Sequence, residues 1–167
     1  MRDEVDRLIA DWRRERPDLD LAPMEVLSRV TRVARRLDRA RRAAFAAHGI
    51  ESWEFDVLAA LRRSGPPYRL SPGRLIEQTQ VTSGTMTNRI DRLAARGLVR
   101  RDPDPRDRRG VMVTLTPDGG ATVDGALTDL VAAERTILRV MSSSQAADMA
   151  DLLRILALSL EDADRPG

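Results

Sequence analysis

The chain predicts a mainly α-helical fold with one small β-hairpin. Three observations carry this. Apolar residues recur at helical spacing along most of the 167 positions. Aromatic residues are only 3% of the chain against an apolar share of 42%, so the core has to be aliphatic, which suits helices packed on helices. One stretch alone, Leu98 to Leu115, reads as two short β-prone runs around a loop crowded with turn formers.

The elements follow in order. Val5, Leu8, Ile9 and Trp12 predict a short helix over residues 2 to 14, broken by Pro17-Asp18-Leu19-Asp20. A longer helix has Pro23 near its start, and Met24, Leu27, Val30, Val33 and Leu37 form one face. Its other face carries Arg29, Arg32, Arg35, Arg36, Arg39 and Arg42, and Gly49 ends it. A helix this one-sided needs a partner. Ser52 is expected to cap the next helix, striped by Trp53, Val57, Leu58 and Leu61 and stopped by Ser64-Gly65-Pro66-Pro67. Ser71-Pro72 then supplies a cap and a proline at the first helical position. The short helix it opens is followed by Thr82-Ser83, which can cap another through Ala95, closed by Gly97. Two short helices joined by a tight turn form a helix-turn-helix. Strands at Leu98 to Arg101 and Val111 to Leu115 make a wing behind it. Thr116-Pro117 opens a helix carrying Val123, Leu127, Leu130, Val131, Ile137, Leu138 and Met141. A last helix holds Met149, Leu152, Leu153, Leu156 and Leu160. The expected fold class is mainly α with a small β-hairpin wing, a winged helix-turn-helix flanked by helical arms. Its expected parts are N-terminal helices over 1–47, the winged helix-turn-helix over 48–116 and C-terminal helices over 117–163.

Composition excludes several functions. With no cysteine there is no disulfide, thiolate sensor or Cys-ligated metal. The single histidine, His48, stands at a helix end and reads as a capping cation, which leaves only carboxylates for a metal. No nucleophile-base pair and no glycine-rich phosphate loop can be assembled. The chain is therefore expected to have no catalytic residues, no metal and no cofactor. Without a run of ~20 apolar residues or a leader-like N-terminus, it is expected in the cytoplasm and off the membrane.

Charge distribution points elsewhere. The net charge is only +2 and every basic residue is arginine. Residues 62 to 110 hold twelve arginines against five acids, a balance of +7, while the remainder balances at −5. A basic block in an acidic frame is the footprint of a polyanion-binding surface, although an ordinary solvated surface has the same composition.

The helix after Thr82 sharpens that reading. Met86, Ile90 and Leu93 fix its buried side. Gly84, Thr85, Asn88 and Arg92 face away, Thr87 and Arg89 flank them, and Ser83 stands at the start. Hydroxyls, an amide and guanidiniums are the groups that read base edges in a major groove. The loop between the strands offers Arg106, Arg108 and Arg109, with Asp104 and Asp107 able to orient them. Arginine on a thin ribbon suits the negative potential of a narrow minor groove. The bland alternatives are a polar surface helix and a charge-balanced loop, in a helical module that meets an acidic protein.

From Ser83 to Leu93 the sequence resembles the recognition helix of the MarR family, the multiple antibiotic resistance regulators. Gly97-Leu98-Val99-Arg100-Arg101, Asp104 to Gly110 and Leu115-Thr116 resemble that family's wing. The likeness runs from about Leu27 to the chain end. It implies a homodimer built from terminal helices on a pseudo-palindromic operator in double-stranded DNA, with Arg109 entering the minor groove and Asp107 steadying it. A finer likeness is to the urate-responsive branch that includes PecS, MftR and TamR-like regulators. It rests on a tryptophan in an extra N-terminal helix, on Glu54-Phe55-Asp56-Val57-Leu58 and on Gly65 to Leu70. That branch implies an effector pocket of Trp12, Asp56 and an arginine, Arg96 by first choice and Arg89 in reserve. Alternatively, Trp12 only pins its helix and Asp56 pairs a neighbouring arginine. The expected function is a transcription repressor released by a small anion of the urate, purine or carboxylate class. A ligand-independent DNA-binding regulator is the alternative.

Overall fold

The computed structural model describes residues 2–104 and 110–163. Its helices are α1 (Glu4–Glu15), α2 (Ala22–Ala46), α3 (Ser52–Arg63), α4 (Pro72–Thr79), α5 (Ser83–Ala95), α6 (Pro117–Leu138) and α7 (Ser143–Ala163). Three strands, β1 (Arg69–Leu70), β2 (Val99–Pro103) and β3 (Val111–Leu115), form an antiparallel sheet in the order β1-β3-β2. Packing divides the chain into two units, Met1–Leu130 and Val131–Gly167.

Most boundaries follow from local chemistry. Asp3 caps α1 by accepting from Asp6 N, and Asp6 returns the bond to Asp3 N. Ser71 and Thr82 cap α4 and α5 as their sequence predicts. Two details differ. Glu51, not Ser52, occupies the cap of α3, because Glu54 reaches back to accept from the Glu51 amide at 2.9 Å and leaves Ser52 inside the helix. The sheet also has a third strand. β1 is two residues long, too short for any alternation to announce it, and exists because Arg69 and Leu70 pair with Thr114 and Val113. β2 reaches Pro103, two residues past the expected end, matching β3 residue for residue from Val99↔Leu115 to Pro103↔Val111.

In the first unit the core gathers Phe45, Phe55, Leu58, Leu61, Leu75 and Met86 with the sheet residues Val99 and Val113. Phe45 of α2 stacks on Phe55 of α3 with centroids 4.2 Å apart. Val123, Ala126 and Leu130 seat the first half of α6 on the same core. A separate small cluster, Val5, Ile9 and Leu21 with Met24, fastens α1 to the start of α2. Ion pairs from Arg29 to Asp3 and Asp6, from Arg32 to Glu4 and from Arg13 to Glu25 flank it. His48 does not use its side chain as a helix-capping cation. Its ring nitrogen donates to Asp129 of α6 at 2.8 Å, since α6 passes within reach of the end of α2.

Apolar residues are exposed on several helices, Leu127, Val131, Ile137 and Leu138 of α6 among them. Val26, Leu27, Val30 and Val33 on α2 are exposed, and so are Leu152, Leu153, Ile155 and Leu158 on α7. Among the described residues no helix is long and apolar enough to cross a membrane.

Candidate nucleic-acid interface

The turn between α4 and α5 is built from left-handed and capping geometry. Gln80 takes φ 52° and ends α4, its amide reaching Ile76 O at 2.8 Å. Thr82 Oγ1 then accepts from Thr85 N at 3.4 Å, starting α5 at once. Burial of Met86, Ile90 and Leu93 fixes the rotation of α5. Ser83, Gly84, Thr85, Thr87, Asn88 and Arg92 are consequently exposed, while Arg89 is half-buried. A methyl group added at Gly84 would meet nothing within 4 Å, so the helix surface is open there.

Beside this surface lies a cavity of about 470 Å³ lined by Trp53, Gly84, Thr85, Asn88, Arg89 and Arg92. Trp53 of α3 is its platform. The Arg92 guanidinium lies 4.7 Å and that of Arg89 5.4 Å from the indole centroid, close enough for cation–π attraction. Arg92 also donates to Glu51 at 3.1 Å. One helical turn after Trp53 lies Asp56, whose carboxyl is influenced by the positive charges of Arg41, Arg89 and Arg63. Its chain is solvent-exposed by area, yet partial desolvation against the neighbouring helices raises its carboxyl above the ordinary value, with the three arginines pulling the other way.

The expected effector trio is not assembled within one chain. Arg96 donates to Glu54 at 2.5 Å and to the Gly49 carbonyl at 2.8 Å, and Glu54 is only 2% exposed. The guanidinium acting on Asp56 from α5 is that of Arg89. Trp12 is 43% exposed on α1, next to Arg13, which pairs with Glu25 near the start of α2. Arg41, the α2 residue whose charge acts on Asp56, lies about sixteen residues further along, roughly 24 Å at 1.5 Å per residue. The tryptophan that shares Arg89 with Asp56 is Trp53. Sequence reading placed Trp53 only in a core stripe, because nothing in its spacing ties α3 to α5.

Behind α5, the wing leaves the core. Val99, Val113, Thr114 and Leu115 are buried, whereas Pro103 and Val111 at the far end are exposed. Asp104 N donates to Gly110 O at 2.9 Å and closes the base of the tip. Asp102 accepts the Thr114 hydroxyl at 2.6 Å and the Arg100 guanidinium at 3.0 Å, which together hold its carboxyl below the usual range. Arg101 pairs with Asp91 of α5 at 2.7 Å, tying wing to helix. Arg106, Arg108 and Arg109, with Asp107, lie outside the described residues. Among the described residues no group of three or more His, Asp or Glu side chains could hold a metal.

A family model described as MarR family matches residues 48–110. Over 150 residues the chain is 39% identical to the HTH-type transcriptional regulator PecS of Dickeya dadantii, covering 90% of each chain. It resembles the structure of a MarR mutant from E. coli complexed with operator DNA, with TM-score 0.69 and 25% identity over 83% of this chain and 98% of that one. It also resembles BpsR of Bordetella bronchiseptica, whose structure concerns regulation of DNA binding by 6-hydroxynicotinic acid. There the TM-score is 0.59 and the identity 29%, over 77% of this chain and 98% of BpsR.

Proposed function

Because the chain belongs to the MarR family of transcriptional regulators, we propose that it is a homodimeric repressor that grips a pseudo-palindromic operator and is released by a small planar anion. One observation carries the reading. The exposed side of α5 is a continuous row of hydroxyls, an amide and guanidiniums, held in place by three fully buried apolar residues. In this reading Ser83, Thr85, Thr87, Asn88, Arg89 and Arg92 meet the major groove, and Arg106, Arg108 and Arg109 meet the minor groove and its phosphates. The uncovered stripes on α2 and α7 close against a second copy, which sets two recognition helices about 34 Å apart. A dimer across two turns of a promoter blocks polymerase by occupancy, which is the support for repression.

The anion reading rests on the chemistry beside α5. An indole face and two guanidiniums suit a flat acid, which can stack on the ring and pair with Arg89 or Arg92, whereas the nearby Asp56 carboxylate repels it. BpsR supports this class, since the compound named with it is a heteroaromatic acid. Arg89 takes the part first given to Arg96, and Trp12 joins such a site only from the second copy. An anion held there occupies the surface that α5 presents to DNA and displaces Asp56.

The test is footprinting on the promoter beside the chain's own gene at low ionic strength, titrated with urate, other purines and small aromatic carboxylates. We expect protection of an inverted repeat, lost with one of these classes. Protection that none of them removes favours ligand-independent regulation. No protection at any concentration overturns the reading.

A further inference from the structure

Away from the DNA-facing surface, α6 touches the lobe at two glycines where an added side chain would force a neighbour to move. A Cβ at Gly119 would lie 2.0 Å from the Leu98 carbonyl oxygen. At Gly125 it would lie 2.7 Å from Cε1 and 2.9 Å from Nδ1 of His48, so the imidazole rests on bare helix backbone. One turn later on the same face, Asp129 accepts from the Nε2 of that ring at 2.8 Å. His48 is itself well placed. Its amide donates to Phe45 O at the end of α2, and the neighbouring Gly49 carbonyl is held by Arg96 of the segment leaving α5. One ring therefore joins the elbow between α2 and α3 to α6. A turn earlier, Arg62 of α3 grips Asp124 through two bonds of 2.8 and 2.9 Å.

The packing energy of α6 does not come from these contacts. Val123, Ala126 and Leu130 supply the buried apolar seat. What the ring and carboxylate add is direction, since a hydrogen bond and a ring pressed on a glycine tolerate little rotation of the helix. We infer that the His48–Gly125–Asp129 clasp fixes the direction in which α6 leaves the DNA-binding lobe, and thereby the half-site spacing the dimer accepts. The inference rests on the proposed dimeric operator binder. A tilt of about 10° on a lever of roughly 20 Å moves its end by ~3.5 Å, about one base-pair step, so loosening this joint is enough to blur spacing.

The experiment uses the full chain and the inverted repeat recovered by footprinting, with versions carrying two extra or two fewer central base pairs, and a single half-site. Wild type is expected to lose about tenfold or more in affinity when the spacing changes. Gly125→Ala, whose methyl pushes the ring off Asp129, and Asp129→Ala are expected to lose less than about threefold. Both should keep wild-type half-site affinity and thermal midpoint. Asp129→Asn still accepts the ring N–H and should restore strict spacing. Variants as strict as wild type overturn the inference, as does a parallel loss of half-site affinity. A wild-type chain that ignores the repeat at every spacing overturns the proposed function itself, and the clasp with it.

Discussion

Asp56 is a carboxylate placed where charge is costly and guanidiniums are plentiful. Burial raises its pKa, so the folded state disfavours the ionised form relative to the unfolded chain. That penalty is present above the folded pKa and disappears as pH falls through it. Asp56→Asn should accordingly raise the thermal midpoint at pH 7, with the gain fading as the medium is acidified below the raised carboxyl value toward the ordinary one. Thermal melts of both proteins across pH 3 to 8 check this, and an unchanged difference at all pH values contradicts it. In the proposed site the same substitution should also blunt release by an anionic effector. The sequence placed Asp56 among the site residues, but it did not reveal that the charges of Arg41 and Arg89, from two other helices, act on it. Such an influence belongs to residues far apart in the chain, and no spacing encodes it.

Among the elements, α4 and α5 were the most legible. Ser71-Pro72 and Thr82 are local signals, read by amides two or three residues away, so tertiary context adds little to them. Gly84 allows an opposed test within α5. It sits in open space in the helical first turns, where alanine loses less conformational entropy on folding. Gly84→Ala should stabilise the fold by about 0.5 kcal/mol. It should nonetheless weaken operator binding several-fold if the helix backbone approaches DNA there. Chemical denaturation and gel-shift titration measure the two effects, and stabilisation with unchanged affinity removes Gly84 from the interface. β1 is the opposite case. Two residues carry no period, and the strand exists only because β3 offers unpaired backbone groups beside it. The cap of α3 differs for a local reason, since Glu51 and Glu54 form a capping box one position before the serine that sequence preference favours.

At the scale of the molecule, the exposed apolar stripes are the feature most in need of explanation. Leu152 is 67% exposed in the single chain, so a charge there costs the isolated fold little. If the stripe is buried between two copies, Leu152→Glu leaves an unpaired charge in an apolar interface. The variant should run as a single folded chain by light scattering at micromolar concentration. It should lose at least about tenfold in affinity for the inverted repeat while keeping weak half-site binding. A variant that stays dimeric removes this stripe from the interface. In the proposed function the basic block between residues 62 and 110 is the electrostatic counterpart of these stripes, the one serving DNA and the others a second copy.

Periodicity, caps and charge blocks, all short-range properties, were enough to specify the helices, the helix-turn-helix and the hairpin, and with them the face of α5 turned to solvent. Only the folded chain decided which side chains from different elements meet. It put Trp53 under Arg89 and Arg92, tied Arg96 to Glu54, and set His48 on Gly125 against Asp129. The physical reason is that a local pattern fixes which way a side chain points along its own helix. What it points at depends on packing between segments that the chain itself keeps tens of residues apart.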